Sequence, residues 1–442
     1  MRTRVACRPI CAALGFAILA ISSAANATVH RVFPDKSGSS SVIQAAIDKA
    51  KPGDTILVEP GTYKFTPPAS VAGKYYYGLR IKTNNLRLIG KVVPGQGDAG
   101  KVRLVYNGPP IDPEDNVRAK DVGAGVYAAP YLGPENGCDV DTGGLGGDAA
   151  DQAKAKACKE NALKDFYIRG FTVVGFPRNG IQTRWVEGFE FIRNDSVDNL
   201  NNGIYPTLSA NGLVQNNVSY GSLDTAMWVA GSENVRVIGN EVFGSTIGFE
   251  ITVSNEVWVT QNKIYGNTVG IGLFHPGGAG NPPKPVMKNW VIEHNDVYDN
   301  NLPNPAVPGT FQSELPPGIG ILLLGVSDHV IAKNTVTDNY YVGIGVLGWC
   351  TANAANPQRC SPDVLLASPS ADNNLVSQNK LSGNGRIPPG TTPLPSVDIL
   401  YVQTKPFEPG TGNCFEKNKP AGFTFYSSEP NGQLPTDGCK KP

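Results

Sequence analysis

Tyr205, Trp228 and Glu250 stand 23 and 22 residues apart. If the chain repeats at about that interval, the three side chains line up on one surface. Aromatic faces stack on the apolar faces of sugar rings, and a carboxylate accepts hydrogen bonds from hydroxyls. Gln182 and Arg184 lie one interval before Tyr205, Asp224 four residues before Trp228, and His275 beyond Glu250. In a catalytic reading Glu250 is the acid/base, His275 or Arg184 assists, and Tyr205, Trp228, Asp224 and Gln182 hold substrate. A glycoside hydrolase also needs a second carboxyl about 5 to 9.5 Å away. Asp224 sits too far along its own segment for that at about 3.3 Å per residue, unless the strand bends. A uronate lyase or epimerase needs a cation and a base, which Arg184, Tyr205 and His275 could supply. Whether the chain is an enzyme stays open at this point.

The interval is a real repeat. "VRVIGNEVFGS", "VWVTQNKIYGN", "WVIEHNDVYDN", "HVIAKNTVTDN" and "NLVSQNKLSGN" are versions of one phrase. Aligned on their asparagine, the copies place Asn194, Asn216, Asn240, Asn262, Asn295, Asn334 and Asn379 in equivalent slots. Each unit holds three strand-like pieces in about 22 residues, with apolar residues alternating inside each piece. That is one turn of a parallel β-helix, a solenoid of three sheets in which no turn can bury its apolar face alone. Asparagine suits the tight bend because it tolerates left-handed backbone. Stacked asparagines can also hydrogen-bond from turn to turn. The Leu-x-x-Leu-x-Leu frame of a leucine-rich repeat is missing, and the units are too short for propeller blades. The third pieces predict an outward column of Gln182, Tyr205, Trp228, Glu250, Gly272, Leu322, Gly345 and Leu400. Gly272 and Gly345 would leave room in it for a ligand. An alternative is that the aromatics pack beneath the 298–317 insertion.

The remaining segments fit around the solenoid. Residues 42–50 read as an amphipathic helix with a serine N-cap, covering the first turn. Residues 107–160, 274–288, 298–317 and 349–370 read as loop insertions in a single domain spanning 28–442. The first 27 residues carry three arginines, an apolar run of about 12 and a small-residue end at Ala25-Asn26-Ala27, the pattern of a secretory signal peptide. No other segment reaches transmembrane length. Six cysteines lie beyond it, and sequence neighbours are the simplest pairing: Cys138 with Cys158, Cys350 with Cys360, Cys414 with Cys439.

Formal net charge is zero, from 38 basic and 38 acidic residues. No Lys/Arg run points to nucleic acid or an anionic membrane. Asp224, Asp299 and Asp338 could offer calcium a site, although turn aspartates are usually structural. Glu187, Glu233 and Glu256 fall at bends, and His294 and His329 in ordinary strand slots.

"IQAAIDKAKPGDTILVEPGTY" resembles the opening of pectin-lyase-like right-handed β-helix proteins. "GIYP" (Gly203–Pro206), "DTAMWVAGS" (Asp224–Ser232), "GFEITVS" (Gly248–Ser254) and "YDNNLPNP" (Tyr298–Pro305) resemble phrases of an exported bacterial family of parallel β-helix repeat proteins. The resemblance implies an all-β, single-stranded right-handed parallel β-helix with an N-terminal helical cap. The wider class implies polysaccharide binding, lysis, hydrolysis or uronate epimerisation, yet none of its specific active-site signatures stands in this sequence. The expectation is an exported, monomeric carbohydrate-interacting protein of the periplasm or cell exterior. Its rival is a non-catalytic scaffold that binds a protein or envelope glycan.

Overall fold

A computed structural model describes residues 27–68, 75–110, 122–133, 138, 149–275, 287–362, 364–365, 368–388, 390–404, 410–420 and 422–439. The expected signal peptide, apart from Ala27, and most of the 274–288 insertion lie outside the described residues. Among the described residues the strands form three parallel sheets of 12, 11 and 10 members. One coil shows the pattern. Glu233–Ile238 lies in the first sheet, Glu241–Phe243 in the second and Ile247–Thr252 in the third. The next coil repeats it, with Val235 over Val257 and Trp290 beyond. The chain is therefore a parallel β-helix. Within Glu233–Ile238, Val235 and Val237 face the interior while Arg236 points out. Each buried aliphatic of this kind contributes about 1.5–3 kcal/mol. Among the described residues no helix is long and apolar enough to cross a membrane.

Buried side-chain ladders seal the bends. The first runs Asn194, Asn217, Asn240, Asn262, Asn295, Asn334, Asn379 and Asn418, each joined to the next. Asn216 is a correction to the sequence alignment: it is exposed, and its neighbour Asn217 takes the ladder position. Two adjacent asparagines offered two registers, and only Asn217 points inward. The left-handed residue is also not the ladder asparagine but the one before it. Arg193, Asn216, Gly239, Gln261, His294, Lys333, Gln378 and Lys417 have φ between 52° and 64°. The turn made there swings the following asparagine into the core. Asn295 is typical. Its Oδ1 accepts from the backbone N–H of Asn262 at 3.0 Å and its Nδ2 at 2.9 Å. Its own Nδ2 donates to the Val259 and Glu293 carbonyls and to Asn334 Oδ1. A second ladder, Ser222, Ser245, Asn267, Asn300, Asn339 and Asn384, closes the next bend. Ser209, Ser232 and Ser254 do the same at the third.

The cap helix is Ser41–Lys49, with Ile43 and Ile47 buried on the first coil. Ser40 precedes it but makes no side-chain cap; its N–H bonds Lys64 instead. The 107–160 segment is not purely an excursion. Val122–Ala128 forms a strand of the third sheet, between Tyr76–Ile81 and Asn179–Arg184. Glycines and alanines there hid the strand's alternation. Disulfides join Cys138 to Cys158, Cys350 to Cys360 and Cys414 to Cys439.

Replacing Asn295 with Ala strands a buried N–H and two carbonyls, so stability should fall by about 3 kcal/mol or more. Asn216→Gly, at an exposed left-handed site, should change it by only a few tenths. Urea unfolding of the two variants checks this, and equal losses would refute the ladder assignment. A second test concerns the N-terminal strand. Asp54 accepts from the N–H groups of Lys51 and Thr28 and contacts the His30 ring at 2.8 Å. These bonds, led by Lys51 and then His30, hold its carboxyl down at about 2. Its stabilising contribution is thus complete above the ordinary carboxyl value of 3.8 and lost as pH falls through about 2. Asp54→Asn should remove that part of the acid dependence, read by hydrogen exchange of Val29–Val32.

Candidate active site

The register of the third sheet sets the outward column. Gln182 pairs with Tyr205, Trp228 with Glu250, Glu250 with Gly272, Gly272 with Leu322, Leu322 with Gly345 and Gly345 with Leu400. Ile204 opposite Met227 puts Tyr205 beside Trp228. The column also extends toward the N-terminus through Tyr127 and Arg80, which the sequence did not reveal because the 122–128 strand was hidden.

Asp224 and Glu250 come together, contrary to the distance expected along a straight strand. Asp224 lies just outside the strand Thr225–Ala230, where the chain turns off the sheet. Thr225 Oγ1 stands 2.7 Å from Glu250 Oε2 and 3.1 Å from Asp224 Oδ1. Two oxygens contacting one hydroxyl lie within about 6 Å of each other, close enough for the two carboxyls to act on one another. The hydroxyl has a single proton to donate. If both contacts are hydrogen bonds, one carboxyl must itself be protonated and donate to Thr225. Burial pushes both carboxyls up, Glu250 further through the neighbouring charge of Asp224. Thr225 and the Gln312 side chain pull Asp224 partly back. Thr225 and Gln312 were absent from the sequence reading: Thr225 carries no pattern signal, and Gln312 arrives on a loop.

The surroundings correct two expectations. Tyr205 and Trp228 stack on each other, with ring centroids 4.7 Å apart and planes 12° apart. Tyr205 is only 9% exposed, so the pair is not an open platform. Trp228 is half-buried, its indole N–H bonded to Thr252. Gly272 leaves no vacant space, since a Cβ there would lie 2.4 Å from the Phe274 ring, and Leu322 and Leu347 crowd Gly345. Here the outside of the sheet carries a second apolar cluster including Phe274, Leu324, Trp349 and Leu400. The 298–317 loop lies over it, with Phe311 against Phe274 and Trp349. Arg359 grips Glu314 of that loop through two bonds of 2.6 and 2.7 Å.

His275 and Arg184 do not join Glu250. His275 is buried against the Trp349 ring, three residues along the strand from Glu250's partner Gly272. That offset is about 10 Å. Arg184 lies three coils away, about 14 Å along the axis. It lines a narrow cleft with Arg178, Gln182, Tyr77 and Tyr127. Gln182 is held there by the Asn179 amide.

Residues 179–358 match the family model described as the right handed beta helix region. The chain carries a right-handed β-helix. Among curated proteins no sequence matches it. Two solved structures share the architecture. The A-module of a mannuronan C-5 epimerase from Azotobacter vinelandii superposes with a TM-score of 0.54 at 14% identity. The match covers 92% of this chain and 96% of that one. DFA-IIIase from Arthrobacter chlorophenolicus A6, in complex with DFA-III, also gives 0.54 at 14% identity, over 94% and 87% of the two chains. At that identity the likeness is one of fold.

The aspartates considered for calcium sit in turns of the coil. Asp299 and Asp338 are left-handed turn residues preceding ladder asparagines, and Asp338 contacts Arg386. Among the described residues the grouping with metal-ligand spacing is Cys414, Glu416 and Cys439, whose sulfurs form a disulfide. His329 stacks on Trp290 at 4.2 Å inside the helix, and burial holds it neutral, down at about 3.

Asp224, pushed up to about 7, binds its proton more tightly folded than unfolded. Its contribution to stability is therefore complete below 3.8 and lost as pH rises through about 7. Asp224→Asn should flatten the fall in stability between about pH 4 and about pH 7. Urea midpoints measured across that window would refute the protonated pair if wild type and variant ran parallel.

Proposed function

We propose that this is an exported carbohydrate-interacting β-helix protein whose working face is the outside of the third sheet. The observation that carries this reading is the carboxyl pair Asp224 and Glu250, bridged by Thr225 beside the stacked Tyr205 and Trp228. A carboxyl held protonated near neutral pH can act as a general acid, and its ionised partner as a base. That is the equipment of a polysaccharide hydrolase, lyase or epimerase. The mannuronan epimerase module and the DFA-IIIase, both carbohydrate-active, support the substrate class through shared architecture. Export is supported by the three disulfides, which persist in oxidising compartments.

The rival is a scaffold that binds an envelope glycan or a protein without turnover. It is favoured by the burial of Glu250, only 3% exposed beneath the loop bearing Gln312. In the catalytic reading that loop must lift to admit substrate.

Mature protein incubated with neutral and uronic-acid polysaccharides, with and without calcium, separates the readings. Unsaturated products indicate a lyase, new reducing ends a hydrolase, and proton exchange into an intact polymer an epimerase. Glu250→Gln should then lower turnover by about 100-fold or more while binding persists. Binding with no chemistry would establish the scaffold, and no glycan binding would overturn the proposal.

A further inference from the structure

A second surface, on the outside of a different sheet, has no part in the acid pair. On the outside of the first sheet one residue per coil forms a column in register: Arg87, Tyr167, Glu190, Leu213, Arg236 and Trp258. The first five line an open groove of about 750 Å³. That volume falls in the range of ligand sites. Trp258 continues the line and is 42% exposed. The Arg87 guanidinium lies 3.9 Å from the Tyr167 ring centroid, packed over one face of that ring. The Glu190 and Arg236 side chains are exposed and make no ion pair or hydrogen bond among the described residues. Leu213 keeps them two coils, about 10 Å, apart.

We propose that this groove binds an extended neutral oligosaccharide lying along the helix axis. Tyr167 and Trp258 stand four coils, about 19 Å, apart and would cradle sugar rings at the two ends. Glu190 and Arg236 would bond hydroxyls between them, and Arg87 hydroxyls beyond Tyr167. Donors and an acceptor alternate with apolar surface along the column, as a chain of hydroxylated rings requires. Asp165, which also lines the groove, balances the second arginine, so the surface does not select for an acidic polymer. The site stands whether or not Asp224 and Glu250 are catalytic.

The test is a titration of the folded protein with neutral hexasaccharides (gluco-, manno- and xylo-) and with a uronic-acid hexamer. Binding is followed by calorimetry and tryptophan fluorescence. At least one neutral hexamer should bind saturably. Trp258→Ala and Arg236→Ala, both at exposed positions, should each weaken it by tenfold or more, and Glu250→Gln should leave it unchanged. Unchanged affinity in both groove variants, loss on Glu250→Gln alone, preference for the uronic hexamer in the groove, or no neutral binding would each overturn the proposal. Because the readout is binding at the first sheet, failure here leaves the third-sheet chemistry to be judged on turnover.

Discussion

The molecule depends on one constraint: every bend of the coil buries backbone groups that only the neighbouring coil can satisfy. At the first bend the asparagine of one coil caps the N–H of the coil before it and donates to a carbonyl of that coil. Leaving such groups unpaired costs about 1–3 kcal/mol each. The ladder therefore fixes the stacking register as strongly as the aliphatic core does. Once register is fixed, so are the outward columns on all three sheets.

Those columns have different fates because of what the chain inserts between strands. The bend between the first and second sheets stays short in every coil carrying the asparagine ladder, and the outside of the first sheet holds exposed Arg87, Glu190, Arg236 and Trp258. The long segments enter beside the third sheet. There they bring Phe311, Leu315 and Trp349 onto Phe274 and Leu322, building an outer apolar layer. Burial under that layer gives the carboxyl pair its unusual affinity for protons. A carboxylate in the same column but facing water would be an ordinary solvated group.

Much of this was legible before any coordinates. Repetition of the asparagine phrase gave the solenoid, the three-piece coil and the membership of the outward column from Gln182 to Leu400. Asn216 shows the resolution of that reading: with Asn217 adjacent, pattern alone could not say which one turns inward. The Val122–Ala128 strand escaped because glycine and alanine carry no hydropathy alternation.

Composition and period thus determined the architecture, since a 22-residue repeat of alternating apolar residues has few ways to bury itself. Only the tertiary structure decided the chemistry of the site. Whether Asp224 meets Glu250 depends on how the chain leaves the strand at Thr225, and whether Tyr205 is a platform depends on its stacking against Trp228. Whether Gly272 is empty depends on the Phe274 rotamer. These contacts, local and distant in sequence alike, are set by packing that no local pattern records.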